Sequence, residues 1–186
     1  FFPSLSGFEG PVNKRILGLI LIGGGLLGYG IGGLIWAPPS RDQRIATLFE
    51  EICLNRTETP ASDSAASLGL VQVTALPART LWVDATSASF LRVEGKSCSV
   101  ETFDPNALDR EEAEALALIV EDLVQTRFPE LDFDPRASMR DDTISRGWAA
   151  GASFSPDRRG VFLFAAPDRG EGSFSFLTVL APKTPG

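Results

Sequence analysis

The chain has 186 residues, a formal net charge of −7, no histidine and two cysteines. Most of its acid lies after residue 100, which argues against contact with nucleic-acid phosphates. The lack of histidine removes Ser-His and Cys-His catalysis, and with them the commonest metal ligand.

Residues 1–15 form a short N-terminal tail in which Phe1, Phe2, Leu5 and Phe8 suit a lipid interface. A pilin-like start is rejected, because the apolar run begins too late and Pro3 breaks it. Residues 16–37 carry no charge, with Lys14 and Arg15 before them and Pro38-Pro39 after. As a helix this stretch is about 33 Å long at ~1.5 Å per residue, enough to cross a hydrocarbon core of roughly 30 Å. It is expected to be a single transmembrane helix. The run is too long for a cleaved signal peptide, and Trp36-Ala37-Pro38-Pro39 is a poor cleavage site, so an uncleaved signal anchor fits better. Eight glycines lie in the span. Gly24, Gly28 and Gly32 repeat every four residues, with Gly18 and Gly25 near the same stripe, the small-residue pattern of helices that pack closely in lipid. The alternative is a Gly-rich anchor with no neighbour. Lys14, Arg15 and Trp36 mark the membrane boundaries. Arg41 and Arg44 nearly balance Lys14 and Arg15, so basic charge alone does not orient the span. The cysteine pair tips the balance toward a cytoplasmic N-terminus and a periplasmic C-terminal domain at an inner (plasma) membrane.

Residues 38–42 read as a linker and 43–182 as one α+β domain, followed by a C-terminal tail at 183–186. The stretch RDQRIATLFEEICLN predicts an amphipathic helix with Ser40 as its N-cap. In it Ile45, Leu48, Phe49, Ile52 and Cys53 fall at i, i+3, i+4, i+7 and i+8, so Cys53 faces inward. Asn55-Arg56-Thr57 matches a glycosylation acceptor, a triplet common by chance. Ser62 or Asp63 can cap a short helix over 65–68, which Gly69 ends, and 70–73 leads on in extended form.

Strands are predicted at 80–85, 90–93 and 97–103, the last two joined through Glu94-Gly95-Lys96. Cys98, Val100 and Thr102 share one face, so a Cys53–Cys98 disulfide would staple helix to sheet. Two inert buried thiols are the alternative. Asp104-Pro105 predicts the start of the longest helix of the domain, running to about Arg127. Its buried stripe would be Leu116, Ile119, Val120 and Leu123 with Leu108, and Asp109, Glu111, Glu112 and Glu114 lie toward its positive end. A polar loop that can hold extended pieces follows over ELDFDPRASMRDD, then a meander of strands at 144–154, 160–167 and 173–182. These carry Trp148, Phe154, Phe162, Phe164, Phe174 and Phe176 on both faces, which calls for cover on both sides or an exposed docking face. The sum is an antiparallel sheet of about five to six strands with two to three helices, an order similar to PAS-like or profilin-like layouts.

No catalytic signature stands out. Ser153 in GASFS lacks the second glycine of a nucleophile elbow. Asp132, Asp134, Asp141 and Asp142 miss the calcium-loop spacing. No CxxC, phosphate loop or dinucleotide fingerprint occurs, and neither cofactor nor metal is called for. The three lysines, Lys14, Lys96 and Lys183, have no nucleophile beside them in sequence. The expectation is therefore not an enzyme. It is an accessory or assembly subunit of a larger bacterial inner-membrane complex, whose partners are other transmembrane subunits (or itself) and the bilayer. A membrane-anchored periplasmic ligand-binding or sensing module is the alternative.

Overall fold

A computed structural model of the chain describes residues 38–56, 59–137, 142–153, 155 and 157–181. The span at 16–37, its glycine stripe (Gly18, Gly24, Gly25, Gly28 and Gly32) and the boundary residues Lys14, Arg15 and Trp36 lie outside the described residues, as does the 183–186 tail. Among the described residues no helix is long and apolar enough to cross a membrane. The described residues from Ser40 onward belong to the compact unit Ser40–Gly186, an α+β domain with three helices and an eight-stranded antiparallel sheet.

Helix α1 (Arg41–Leu48) starts at Ser40, whose amide N–H donates to Gln43 Oε1 at 3.1 Å. It continues through a π-helical stretch, Phe49–Leu54. Ile45, Leu48, Phe49, Ile52 and Cys53 are all buried, as their spacing predicts. Helix α2 (Ala61–Ser67) starts after Pro60, ahead of the predicted Ser62 or Asp63 cap. It stops at Gly69, where φ of +80° is a conformation that side chains resist.

The strands are β1 (Val71–Leu76), β2 (Arg79–Asp84), β3 (Ser89–Glu94), β4 (Ser97–Phe103), β5 (Asp132–Phe133), β6 (Ile144–Ala150), β7 (Arg159–Ala166) and β8 (Phe174–Leu180). Their order in the sheet is β1-β2-β3-β4-β8-β7-β6-β5. Two four-stranded meanders therefore join through the β4–β8 pair, where Cys98 faces Val179 and Val100 faces Leu177. Helix α3 (Arg110–Arg127) connects the first meander to the far edge of the second. Eight strands exceed the expected five to six, because β1 and the short β5 add an edge on each side. On β1, Val71, Val73 and Leu76 remain exposed, and the pairing with β2 is irregular between Gln72 and Thr74. A bulge of this kind helps keep an open edge from recruiting another strand.

Helix α3 departs from its prediction at its start. Asp109, not Asp104, is the N-cap: its carboxylate accepts from the Glu112 amide at 2.8 Å, and Glu112 accepts from the Asp109 amide at 3.1 Å. Such a reciprocal box outcompetes an Asp-Pro pair. The Asp104-Pro105 bond is cis and lies in a turn in which the Asn106 amide donates to the Phe103 carbonyl. The buried stripe is Ala113, Leu116, Ala117, Val120 and Val124, and Ile119 and Leu123 flank it half-buried. The stripe is turned from the predicted one toward the small side chains of Ala113 and Ala117, both buried.

Both long helices pack on one face of the sheet and against each other, the π-helical end of α1 over β4 and β8 and α3 over β6 and β7. Antiparallel partners share a face, so Trp82, Leu91, Val100, Leu177 and Leu163 form one row beneath the helices. All five are buried.

Two contacts hold α1 in place. Cys53 and Cys98 form the disulfide expected from sequence, with Cα atoms 5.3 Å apart. Further toward the helix start, Arg44 donates to both oxygens of Asp84, at 2.9 and 3.2 Å, and to the Leu68 carbonyl at 2.8 Å. Their side chains are 16% and 3% exposed. Asp84 also accepts from the Ser87 amide and hydroxyl at 2.9 and 2.6 Å. Burial alone would raise the Asp84 carboxyl, but the hydrogen bonds from Arg44 and Ser87 outweigh it and hold the pKa below the ordinary value.

Reduction of the disulfide, or a Cys53→Ala/Cys98→Ala double substitution, should lower unfolding free energy by about 2–4 kcal/mol. Urea melts with and without reductant measure this. For Asp84 the folded pKa lies below the unfolded one. Its stabilisation is therefore complete above the ordinary carboxylate value of about 3.9 and is lost as pH falls through the folded value. Asp84→Asn should cost about 3 kcal/mol at neutral pH, because a buried guanidinium loses its counter-charge. It should also flatten the acid limb of a stability–pH curve, which melts between pH 7 and 2 would trace.

Candidate functional site

Two features of the domain can bind something: the sheet face opposite the helices, and a pocket at one end of the sheet.

The open face follows from the pairing. Phe90, Glu101, Phe176, Phe164 and Ser145 form one row across β3, β4, β8, β7 and β6. Phe103, Phe174 and Ala166 form the next, and Arg92, Ser99, Thr178, Phe162 and Gly147 lie on the other side. Phe164 stacks on Phe174 and on Phe176, with ring centroids 5.5 Å apart in each pair, and Phe90 tilts against Phe103 at 6.0 Å. Among the described residues no helix covers these rings. The turn at Pro135–Ala137 folds over the β6 end, where Ser145 Oγ donates to the Ala137 carbonyl and Gly147 has no room for a side chain against Ala137. Phe90, Phe162, Phe164, Phe174 and Phe176 are half-buried, the Arg158 guanidinium lies 5.7 Å from the centre of the Phe162 ring, and Phe103 is 46% exposed. Glu101, in the middle of the face, pairs with Arg92 and accepts from Ser99 Oγ at 2.6 Å. Its charge is thus compensated within the face.

The pocket holds about 240 Å³. It opens between the end of the π-helical stretch, the Phe128–Leu131 turn after α3, and the adjoining ends of β7 and β8. Leu54, Phe128, Leu131, Val161 and Val179 supply apolar wall, with Cys53 of the disulfide beside them. Gly160 sits at the edge of this wall. A Cβ there would lie 2.3 Å from the Trp148 carbonyl oxygen, so β6 and β7 close together only over a glycine. Three charges line the pocket: Arg56, Arg159 and Glu130. Arg159 lies 3.8 Å from Glu130. The half-buried Arg56 donates to the Lys96 carbonyl, and burial lowers its pKa.

Other sequence candidates are absorbed by the fold. Asp134 is held by the Arg158 side chain and the Arg136 amide, which keep its carboxyl below the usual range. Asp142 pairs with Arg169 at 3.2 Å, and Asp141 lies outside the described residues. Among the described residues no cluster of three metal-ligating side chains occurs. Glu112 pairs with Arg41 at 3.0 Å, and the exposed Glu114 lies 4.0 Å from Arg110 one turn before it. Ser153 lies within 3.4 Å of the guanidinium groups of Arg136 and Arg158, not beside a base. The Asn55 side-chain oxygen accepts from Arg127, and Thr57 lies outside the described residues.

Sequence reading found the aromatic strands and the cysteine pair but missed the pocket. Arg56 and Arg159 are far apart in the chain, and no motif links them. Comparison with protein-family models, with curated proteins and with solved structures gives no match.

Proposed function

We propose that this protein is a single-pass, membrane-anchored accessory or assembly subunit of a larger bacterial inner-membrane complex. Residues 16–37 span the bilayer and pack through Gly24, Gly28 and Gly32 against a transmembrane helix of another subunit. The N-terminus is cytoplasmic and the disulfide-stapled domain periplasmic, where an oxidising environment sustains the Cys53–Cys98 bond. The role is binding rather than catalysis.

The observation that carries this reading is the stacked phenylalanine face left without a helix over it. Large exposed apolar patches mark interaction surfaces, and aromatic side chains are enriched at the centre of protein interfaces. The occupant is the export-side part of the same neighbouring subunit. The face is apolar with its central charge already paired, so it suits a protein surface better than an anionic polymer. A partner gripped in the bilayer is also tethered to the domain by the chain itself, which raises its effective concentration at the face.

Purification of the full chain in mild detergent, with mass spectrometry of what accompanies it, tests both contacts. One membrane protein should co-purify in fixed ratio. Gly28→Leu and Phe176→Asp should each cut its recovery at least tenfold, and Phe176→Leu should retain it. Unchanged recovery in both variants, or a chain that forms only homodimers, would overturn the proposal. A melt of Phe176→Asp within a few degrees of the parent separates lost docking from lost folding.

A further inference from the structure

We infer that the pocket between the π-helical stretch, the Phe128–Leu131 turn and strands β7 and β8 is a binding site for a small amphipathic carboxylate, with Arg56 taking the anionic head. Charge balance in the pocket leads there. Glu130 offsets Arg159 at 3.8 Å. Among the described residues no carboxylate lies within ion-pair distance of Arg56, whose guanidinium reaches only the Lys96 carbonyl. A guanidinium has five N–H donors in a planar fork and stays protonated in proteins, so most of its donor capacity remains for a ligand. Burial already disfavours this charge, and a carboxylate accepted side-on by the fork would compensate it. The rest of the wall, from Leu54, Phe128, Leu131, Val161 and Val179, can take only hydrocarbon.

Size narrows the ligand. About 240 Å³ is below the roughly 300–1,000 Å³ of drug-sized sites. The occupant is therefore a short-chain or small aromatic acid, not a whole lipid. A ligand there would touch the π-helical stretch, the turn that ends α3 and the β7–β8 ends together, so binding would brace three elements. The site is separate from the phenylalanine face, and it stands whether or not that face docks a partner.

Hexanoate, hexanol and hexylammonium are the probes, titrated into the full-length chain in lipid nanodiscs with 13C-labelled leucine and valine methyls. Hexanoate should shift the Leu131, Val161 and Val179 methyls saturably, at least tenfold more tightly than hexanol, with hexylammonium weaker still. Arg56→Gln should weaken hexanoate at least tenfold and bring it level with hexanol, and Arg56→Lys should keep the preference for the acid. An unperturbed methyl spectrum outside the pocket confirms that each variant is folded. Equal responses to hexanoate and hexylammonium would overturn the inference, as would hexanoate binding unchanged by Arg56→Gln. If Arg159→Gln alone abolishes the preference, the head contact is wrongly assigned. A tenfold gain in Glu58→Gln would show that the chain supplies its own anion, which would also overturn it.

Discussion

The π-helical continuation of α1 lies across β4 and β8, and that contact decides where the remaining elements go. Strands β4 and β8 are where the two meanders meet, so a helix seated there covers the seam of the sheet. Phe49, Ile52 and Cys53 enter the apolar layer above Val100 and Leu177, all buried. The disulfide fixes one end of the seat, and the Arg44–Asp84 pair with its Ser87 donors fixes the other. Together they tie the helix at both of its ends. The two ties differ in kind: the disulfide acts chiefly by restricting the unfolded chain, whereas the ion pair imposes a requirement that each buried charge find its partner. Arg44 also bonds the Leu68 carbonyl, which brings the end of α2 into the same arrangement.

With the π-helical end of α1 over the seam and α3 over β6 and β7, both long helices are used on one side. On the opposite side the rings are shielded by one another, by Arg158 over Phe162 and by one short turn. Half-buried phenylalanines in stacked array are a poor surface to present to water, since roughly 25 cal/mol is lost for each Å² of apolar area left wet. The proposed interaction role rests on this imbalance more than on any single residue. The paired Arg92 and Glu101 keep the face neutral without making it polar throughout.

The pocket arises from the same layout. The π-helical stretch ends at Leu54, and the chain must leave the sheet there. At the opposite end of α3 the chain turns through Phe128–Leu131 before it reaches β5. The two departures flank the β7–β8 ends and leave a gap that neither fills. Into this gap the first departure brings Arg56, and β7 brings Arg159 beside Glu130.

Local patterns determined much of the domain. The i, i+3, i+4, i+7 spacing from Ile45 to Cys53 specified a buried helical face, because a helix repeats every 3.6 residues whatever lies opposite it. Alternation did the same for β4, and the two together placed Cys53 and Cys98 on facing surfaces. The Glu94-Gly95-Lys96 turn and the stop at Gly69 were legible because positive φ at Gly95 and Gly69 selects glycine. The start of α3 was not legible, since Asp104-Pro105 and Asp109 with Glu112 are both credible openings and only the folded chain shows which amides need a cap. Of the edge strands, β1 was legible only over its first residues, and the two-residue β5, exposed and held by its neighbour, was not placed. That the phenylalanine face stays without a helix, one of the two outcomes the strand pattern left open, and that a pocket forms around Arg56 were decided by the tertiary structure. Which side of a sheet the helices choose, and which distant charges end up sharing a hollow, depends on contacts between residues that sequence periodicity treats as unrelated.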